Sequence, residues 1–393
     1  MTKKKTTSSN RKTNQTISTI VIVGGILLFA FFMLTGNDPL GLFSNNENST
    51  NNSSHVTTMV GSGGDWWQVY FTDPAPNYDP DNMQGTVAAE LINHINNAQE
   101  SIHIASFEFN LTPVAEALIA AHKRGVDVRW VTDDENGIEA DEEEGHGQFA
   151  MLEKAGIEVV DDARGALMHN KFWIFDGQTV WTGSTNITEN GIFRNNNNVI
   201  VVESPAVAAM FEREFAEMWD GEFGPRSPST LDQQSTTIQG TPVEILFAAE
   251  DEVMDELIPL INQARSNIKF MAFSFTHEGL GEAMLAKAAD GVAVSGIFET
   301  RGSETEYSEL SNMVCANLAV RQDGNPGTFH HKVIIIDDRI VITGSLNFSD
   351  NANDSNDENV IIINNADIAQ QYLQEFQRRW QEGKTPSPAD MGC

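Results

Sequence analysis

One stretch of this chain occurs twice. The first copy reads HNKFWIFDGQTVWTGSTN, from His169 to Asn186. The second reads HHKVIIIDDRIVITGSLN, from His330 to Asn347. Both fit H-x-K-x4-D-x6-G-S-x-N, and every fixed position is offset by the same 161 residues. A bare H-x-K means little, because a His near a Lys is common on surface strands. The whole pattern, repeated at one spacing, marks a duplicated architecture. The chain is therefore expected to fold as two similar halves.

Each copy reads as strand, turn, strand. Lys171 to Phe175 and Val333 to Ile336 are apolar runs, each followed by a turn and a second run. Residues two apart on a strand share a face. His169 and Lys171 thus point the same way, as do His330 and Lys332. Ser184 and Asn186 share a face of the returning strand, as do Ser345 and Asn347. Asp176 and Asp337 lie where the first strand ends, and on spacing alone they read as turn residues. Each copy gathers a His, a Lys, a Ser and an Asn, a set that suits an anionic, oxygen-rich substrate better than a carbonyl.

These residues resemble the phospholipase D superfamily, whose hallmark is the duplicated H-x-K-x4-D motif followed by G-S-x-N. The resemblance covers residues 66 to 382, and it suggests a bacterial or archaeal membrane-anchored phospholipase D-like protein. It implies an α/β fold of two repeated domains, each a mixed sheet flanked by helices, related by a pseudo-twofold with the active site between them. It also implies phosphodiester cleavage through a phosphohistidine. It places His169, Lys171, Asp176, His330, Lys332 and Asp337 in the catalytic set. Ser184, Asn186, Ser345, Asn347 and Glu358 support the set or bind phosphate.

The repeat extends beyond the motif. INNAQESIHIASFEF (95–109) matches INQARSNIKFMAFSF (261–275) at an offset of 166. Each is a helix end running into an apolar strand. Helices follow at 113–124 and 278–290, stopped by Gly125 and Gly291. Strands come next, and strand–helix–strand of this length implies parallel pairing. The H-x-K hairpin adds antiparallel strands, so each sheet is expected to be mixed. Helices close the halves at 205–219, capped by Ser204 with Pro205 in the first turn, and at 366–381.

The expected organisation is a cytoplasmic basic segment (1–16), a membrane span (17–35), a flexible Asn/Ser-rich linker (36–64), domain 1 (65–220), a linker (221–241), domain 2 (242–383) and a tail (384–393). The span rests on an almost unbroken apolar run of nineteen residues, roughly 28 Å of helix. Its basic flank and the lack of a small-x-small exit favour an uncleaved anchor, with the catalytic body outside the cell membrane. Beyond residue 43 there are 19 bases against 55 acids, a net charge of −36. Such a body repels polyanions, which disfavours nucleic acid.

Residues 133–147 (DDENGIEADEEEGHG) hold eight acids and no Lys or Arg. Their spacing fits no calcium loop and reads as a solvated acidic loop that follows a strand end and overhangs the site. His55, His94, His103, His122, His146 and His277 show no metal spacing, so no metal or cofactor is expected. Cys315 and Cys393 form no disulfide framework.

Glu358, in NDENVIII, is a candidate carboxylate for His330. The matching position near His169 is Asn197. His169 is read as nucleophile and His330 as acid/base. The function expected is hydrolysis of membrane phospholipid by a monomer, giving phosphatidic acid and a free head group. A nuclease or a phosphatidyl-transferring synthase of the same superfamily is the alternative.

Overall fold

The duplication is visible strand by strand. The structure is a computed structural model that describes residues 59–74 and 77–393. In the first half the strands are β1 (Val60–Gly63), β2 (Trp67–Phe71), β3 (Ser101–Ser106), β4 (Asp127–Thr132), β5 (Glu158–Asp161), β6 (Lys171–Phe175), β7 (Thr179–Gly183) and β8 (Asn198–Glu203). They form one sheet in the order β1-β2-β8-β7-β6-β3-β4-β5. The second half supplies β9 (Ser235–Ile238), β10 (Thr241–Ala248), β11 (Asn267–Ala272), β12 (Ala293–Phe298), β13 (Ala319–Gln322), β14 (Lys332–Ile336), β15 (Ile340–Gly344) and β16 (Glu358–Asn364). Its sheet runs β13-β12-β11-β14-β15-β16-β10-β9, the same path. In each, three neighbouring strands are parallel (β3-β4-β5, β11-β12-β13) and the remaining pairs are antiparallel. The expected mixed sheets are present in both halves.

Helices pack on both faces of each sheet. In the first half they are α1 (Val87–Asn97), α2 (Thr112–Arg124) and α3 (Gln148–Ala155), followed by the short α4 (Glu189–Phe193) and then α5 (Pro205–Trp219). In the second they are α6 (Val253–Asn262), α7 (Glu278–Ala289), α8 (Glu309–Cys315), the short α9 (Asp350–Asp354) and α10 (Ala366–Glu382). Gly125 ends α2 at φ 100°, where a side chain would be strained. Ser204 caps α5 by accepting from the Val207 N–H, as its position before Pro205 predicts.

The two sheets share one core. β6 is buried on both faces because each face has a neighbour. Phe172 and Ile174 join a central cluster with Val333, Ile335, Phe211 and Tyr372, drawn from both halves. Trp173 and Phe175 face the outer layer under α1 and α2. The helices α5 and α10 lie in the central layer, so the interface between halves is interior and not a surface contact. Backbone bridges cross it at Met168–Asp357 and Asn196–Phe329.

Several expectations are revised. Residues 221–241 hold two 3-10 turns and strand β9, so this stretch is not a bare linker. The last ten residues are tied down: Lys384 bridges Gln322, and Cys393 forms a disulfide with Cys315. The localisation is corrected: among the described residues no helix is long and apolar enough to cross a membrane. Segment 17–35, on which the single-pass reading rested, lies outside the described residues, as do the basic segment 1–16 and His55.

Candidate active site

The motif strands β6 and β14 begin where β3 and β11 end, since Ser106 pairs with Lys171 and Ala272 with Lys332. The interface bridges set these two strand ends against each other. His169 N–H donates to the Asp357 carbonyl, and His330 N–H donates to the Asn196 carbonyl. Each histidine is therefore held by the opposite half. His169 is 6% exposed and His330 8%, so both are buried where the two halves meet.

The side-chain partners also cross the interface. His169 Nδ1 lies 2.7 Å from Glu358 Oε2. His330 Nδ1 lies 2.9 Å from Asn197 Oδ1 and 3.0 Å from the Ser184 carbonyl. The assignment of Glu358 to His330 is thus corrected: the carboxylate backs His169, and the amide backs His330. The offset identified the two matching positions, but which histidine each reaches depends on how the sheets face one another.

The two serines hold these partners. Ser184 Oγ donates to Asn197 Oδ1 at 2.8 Å. Ser345 bonds Glu358 and accepts from the Asn359 N–H at 2.9 Å. The preceding glycines are required by close approach. A Cβ on Gly183 would lie 2.3 Å from the Asn198 carbonyl oxygen, and one on Gly344 would lie 2.1 Å from that of Asn359. This gives the G-S of the motif a physical reason.

Lys171 Nζ donates to the His169 carbonyl at 2.8 Å and sits 4.9 Å from the centre of the Phe107 ring. Lys332 repeats this with the His330 carbonyl at 3.1 Å and Phe273 at 4.9 Å. The same rings meet the imidazoles edge-on at 4.8 and 4.9 Å. Burial brings Lys171 down to about 8, against the pull of Glu358, Glu108 and Asp133. Burial and Lys171 push Lys332 well below its ordinary value. Both imidazoles are held well below the usual histidine range, chiefly by burial and then by the two lysines. Burial pushes Glu358 up to about 8, with Lys171 working against it. A bound anion would favour the protonated form of the lysines and oppose this lowering.

Asp176 and Asp337 are not in this centre. They lie at the far end of β6 and β14, five residues and roughly 16 Å of strand from the lysines. Asp176 accepts from the N–H groups of Gln99, Glu100 and Ser101. Asp337 accepts from those of Arg265, Ser266 and Asn267. Both sit at positive φ, 52° and 53°. Their catalytic placement is corrected to the turn role that spacing alone indicated.

Asn186 and Asn347 lie three residues beyond the ends of β7 and β15, not on the returning strands as expected. Asn186 Nδ2 donates to Glu108 Oε2 at 2.8 Å. Glu108, Phe107 and Phe273 were missed from sequence, although the alignment of 95–109 with 261–275 sets Glu108 opposite Ser274. His146 lies beside this corner, near Asn110.

The acidic stretch after β4 is built, not merely solvated. Asp133 accepts from the N–H groups of Asn136 and Met168, bracing the segment before His169. Glu299, its counterpart, accepts from the Phe329 N–H before His330 at 2.5 Å. Asp162 accepts from the Asp134 N–H, as Asp323 does from that of Thr300. Asp133, Asp134 and Asp162 lie close enough to hold a cation. Arg164 already bonds Asp162 and Asp357, and the second half repeats the bonds with Thr300 in place of Asp134. A structural role accounts for the cluster.

Two mixed sheets with one centre assembled from both halves define a two-domain α/β protein of pseudo-twofold design. The chain belongs to the family described as cardiolipin synthase, PLD-like domain, whose pattern matches residues 91–219 and 257–380. Mitochondrial cardiolipin hydrolase of Xenopus tropicalis is 33% identical over 132 residues, 34% of this chain and 63% of that relative. Phospholipase D of Rickettsia bellii is 37% identical over 119 residues, 30% of this chain and 59% of that relative. The chain thus spans less than two thirds of the length of these curated relatives. The structure of phosphatidylserine synthase from Haemophilus influenzae shares the fold, with a TM-score of 0.57 at 14% identity over 75% of this chain and 84% of that one.

Proposed function

We propose that this chain is a phosphodiesterase of the phospholipase D type that hydrolyses glycerophospholipids to phosphatidic acid and a free head group. The observation that carries this reading is the crossed pair of imidazoles, each braced by the other half and flanked by its own lysine. One chain supplies both, so a monomer suffices.

His169 is the nucleophile in this reading. With Nδ1–H donated to Glu358, its Nε2 carries the free lone pair. Nε2 attacks phosphorus, and the bond from phosphorus to the head-group oxygen breaks. Glu358 stabilises the positive charge that forms on the imidazole, the role a buried carboxylate plays behind a catalytic histidine. His330 gives its proton to the leaving oxygen. An imidazolium backed by an amide oxygen is the stronger acid of the two, because no carboxylate holds its proton. Neutral His330 then takes a proton from water, whose oxygen attacks phosphorus. The P–N bond breaks and its electrons return to Nε2 of His169. Lys171 and Lys332 neutralise the non-bridging oxygens as charge builds.

The lipid reading draws on the names of the relatives and on the net charge of −36 beyond residue 43, which opposes a polyanion. The test uses the full chain with phosphatidylcholine in mixed micelles and added ethanol. A phosphohistidine opened by ethanol gives phosphatidylethanol, and H169A and H330A each lower turnover by at least about 10³-fold. Cleavage of DNA without phosphatidylethanol would replace the lipid reading by a nuclease.

A further inference from the structure

The two halves of the centre match residue for residue except at a few positions. Asn197 against Glu358 is one. Glu108 against Ser274 is the other that faces the reacting groups. Glu108 follows Phe107, whose N–H donates to the Asn170 carbonyl beside the motif, and the next residue, Phe109, bridges to Ile187 on the return from β7. This wedges Glu108 between the H-x-K segment and the G-S-x-N segment. Its Oε2 takes the Asn186 amide at 2.8 Å. Lys171 and Lys332 both lie within reach of its charge, although burial raises its carboxyl above the ordinary value.

A carboxylate here is costly for a site that binds a phosphodiester anion. It offsets part of the lysine charge and repels the substrate. No step of the proposed reaction uses it. Asp133 lies near enough to add to the negative charge. The second half reaches the same geometry with Ser274, so the carboxylate is not needed to build the fold. What such a group does well is discriminate by charge. A diester whose alcohol carries an ammonium group brings its own partner for Glu108. One carrying a second anion meets repulsion at short range.

We propose that Glu108 is a specificity-determining residue that makes this centre select phosphodiesters bearing an ammonium group beside the phosphate over those bearing a second negative charge. The inference rests on reading the centre as a phosphodiester-cleaving site, but not on the substrate being a lipid.

Three soluble chromogenic diesters test it on the full chain: the 4-nitrophenyl phosphates of 2-aminoethanol, ethanol and 3-hydroxypropanoate. All release the same nitrophenolate, so differences report the other alcohol. The wild type favours the aminoethyl over the carboxyethyl diester by at least about tenfold in kcat/KM, carried by KM. E108Q brings that ratio to within about threefold, and E108D keeps the order. E108S, which copies the second half, gives the same readout should E108Q not fold. The ratio is taken within each variant, so a general loss of activity cancels. An unchanged ratio in E108Q, or a wild-type preference for the carboxyethyl diester, overturns the proposal. Cleavage of these diesters without cleavage of any phospholipid sinks only the lipid reading. Cleavage of none sinks the phosphodiesterase reading and this inference with it.

Discussion

At the scale of single residues the centre is symmetric in its cations and asymmetric in what stands behind its histidines. Glu358 backs His169 and Asn197 backs His330. Asn197 also donates to the Gly191 carbonyl at 2.9 Å, which fixes its oxygen toward His330. His330 lies well below the ordinary histidine value through burial, Lys332 and Lys171. As the acid it must be protonated, so kcat/KM falls as pH rises through that lowered value. Asn197→Asp puts a carboxylate beside the imidazole and raises its pKa. The alkaline limb of the kcat/KM profile then moves up by about one unit or more. A limb that stays put, with the variant folded, would remove His330 from the acid role. The repeated His, Lys, Ser and Asn letters were legible in sequence because strand periodicity alone sets their common face. Glu358's partner was not, because it depends on a contact 189 residues away in the chain. Glu108 was open to view at its aligned position, yet no motif letter marks it.

At the scale of elements, the duplicated pattern also encodes how each half is pinned. Asp337 gathers three successive backbone N–H groups at the start of β11, as Asp176 does at the start of β3. These bonds tie the β14 turn to the strand it pairs with. Burial works against the charge, but the Ser266 and Asn267 bonds hold Asp337 below the usual carboxylate value. Asp337→Ala leaves those donors to water and costs about 1–2 kcal/mol of stability. Urea melts give that loss, while kcat changes less than about threefold because the centre is at the other end of β14. A loss of kcat comparable to that of H330A would return Asp337 to the catalytic set. The helices and parallel strands were readable from Gly125, Ser204 and the apolar runs. Strand β9 was not, because STTI is short, polar and pairs only with β10 at a sheet edge.

At the scale of the whole molecule, the interface between halves is a polar ladder set into an apolar core. Asn359 bonds Thr182 and Asn170, and its counterpart Asn198 bonds Thr343 and His331. His331 is buried in this ladder, where its other nitrogen meets Glu375. The symmetry breaks one turn of helix further on. Glu375 on α10 is paired with Arg379, and despite burial His331 and Arg379 hold it at about 2. Its counterpart on α5 is Glu214, which finds no arginine at the matching place, since residue 218 is Met. Glu214 instead shares a hydrogen bond with Glu250 of the second half, and Asp357, Glu217 and Asp251 add negative charge around the two. Burial and these neighbours push Glu214 well above the usual carboxyl range, and burial pushes Glu250 to about 8. Both carboxyls are thus raised in the folded protein relative to the unfolded chain. Their stabilising contribution is complete below the ordinary carboxyl value and is lost as pH rises toward about 8. Glu375 works oppositely, but its contribution is lost only as pH falls toward about 2. These two carboxyls lower the melting temperature between pH 5 and pH 8, while the buried histidines, held below their usual value, act in the opposite direction. Glu214→Gln keeps a donor for Glu250 and removes one buried acid. It should raise the melting temperature by about 2–4 °C at pH 8 and leave it nearly unchanged at pH 5. Equal shifts at both pH values would show that the gain comes from packing, and that the two carboxyls do not share a proton across the interface.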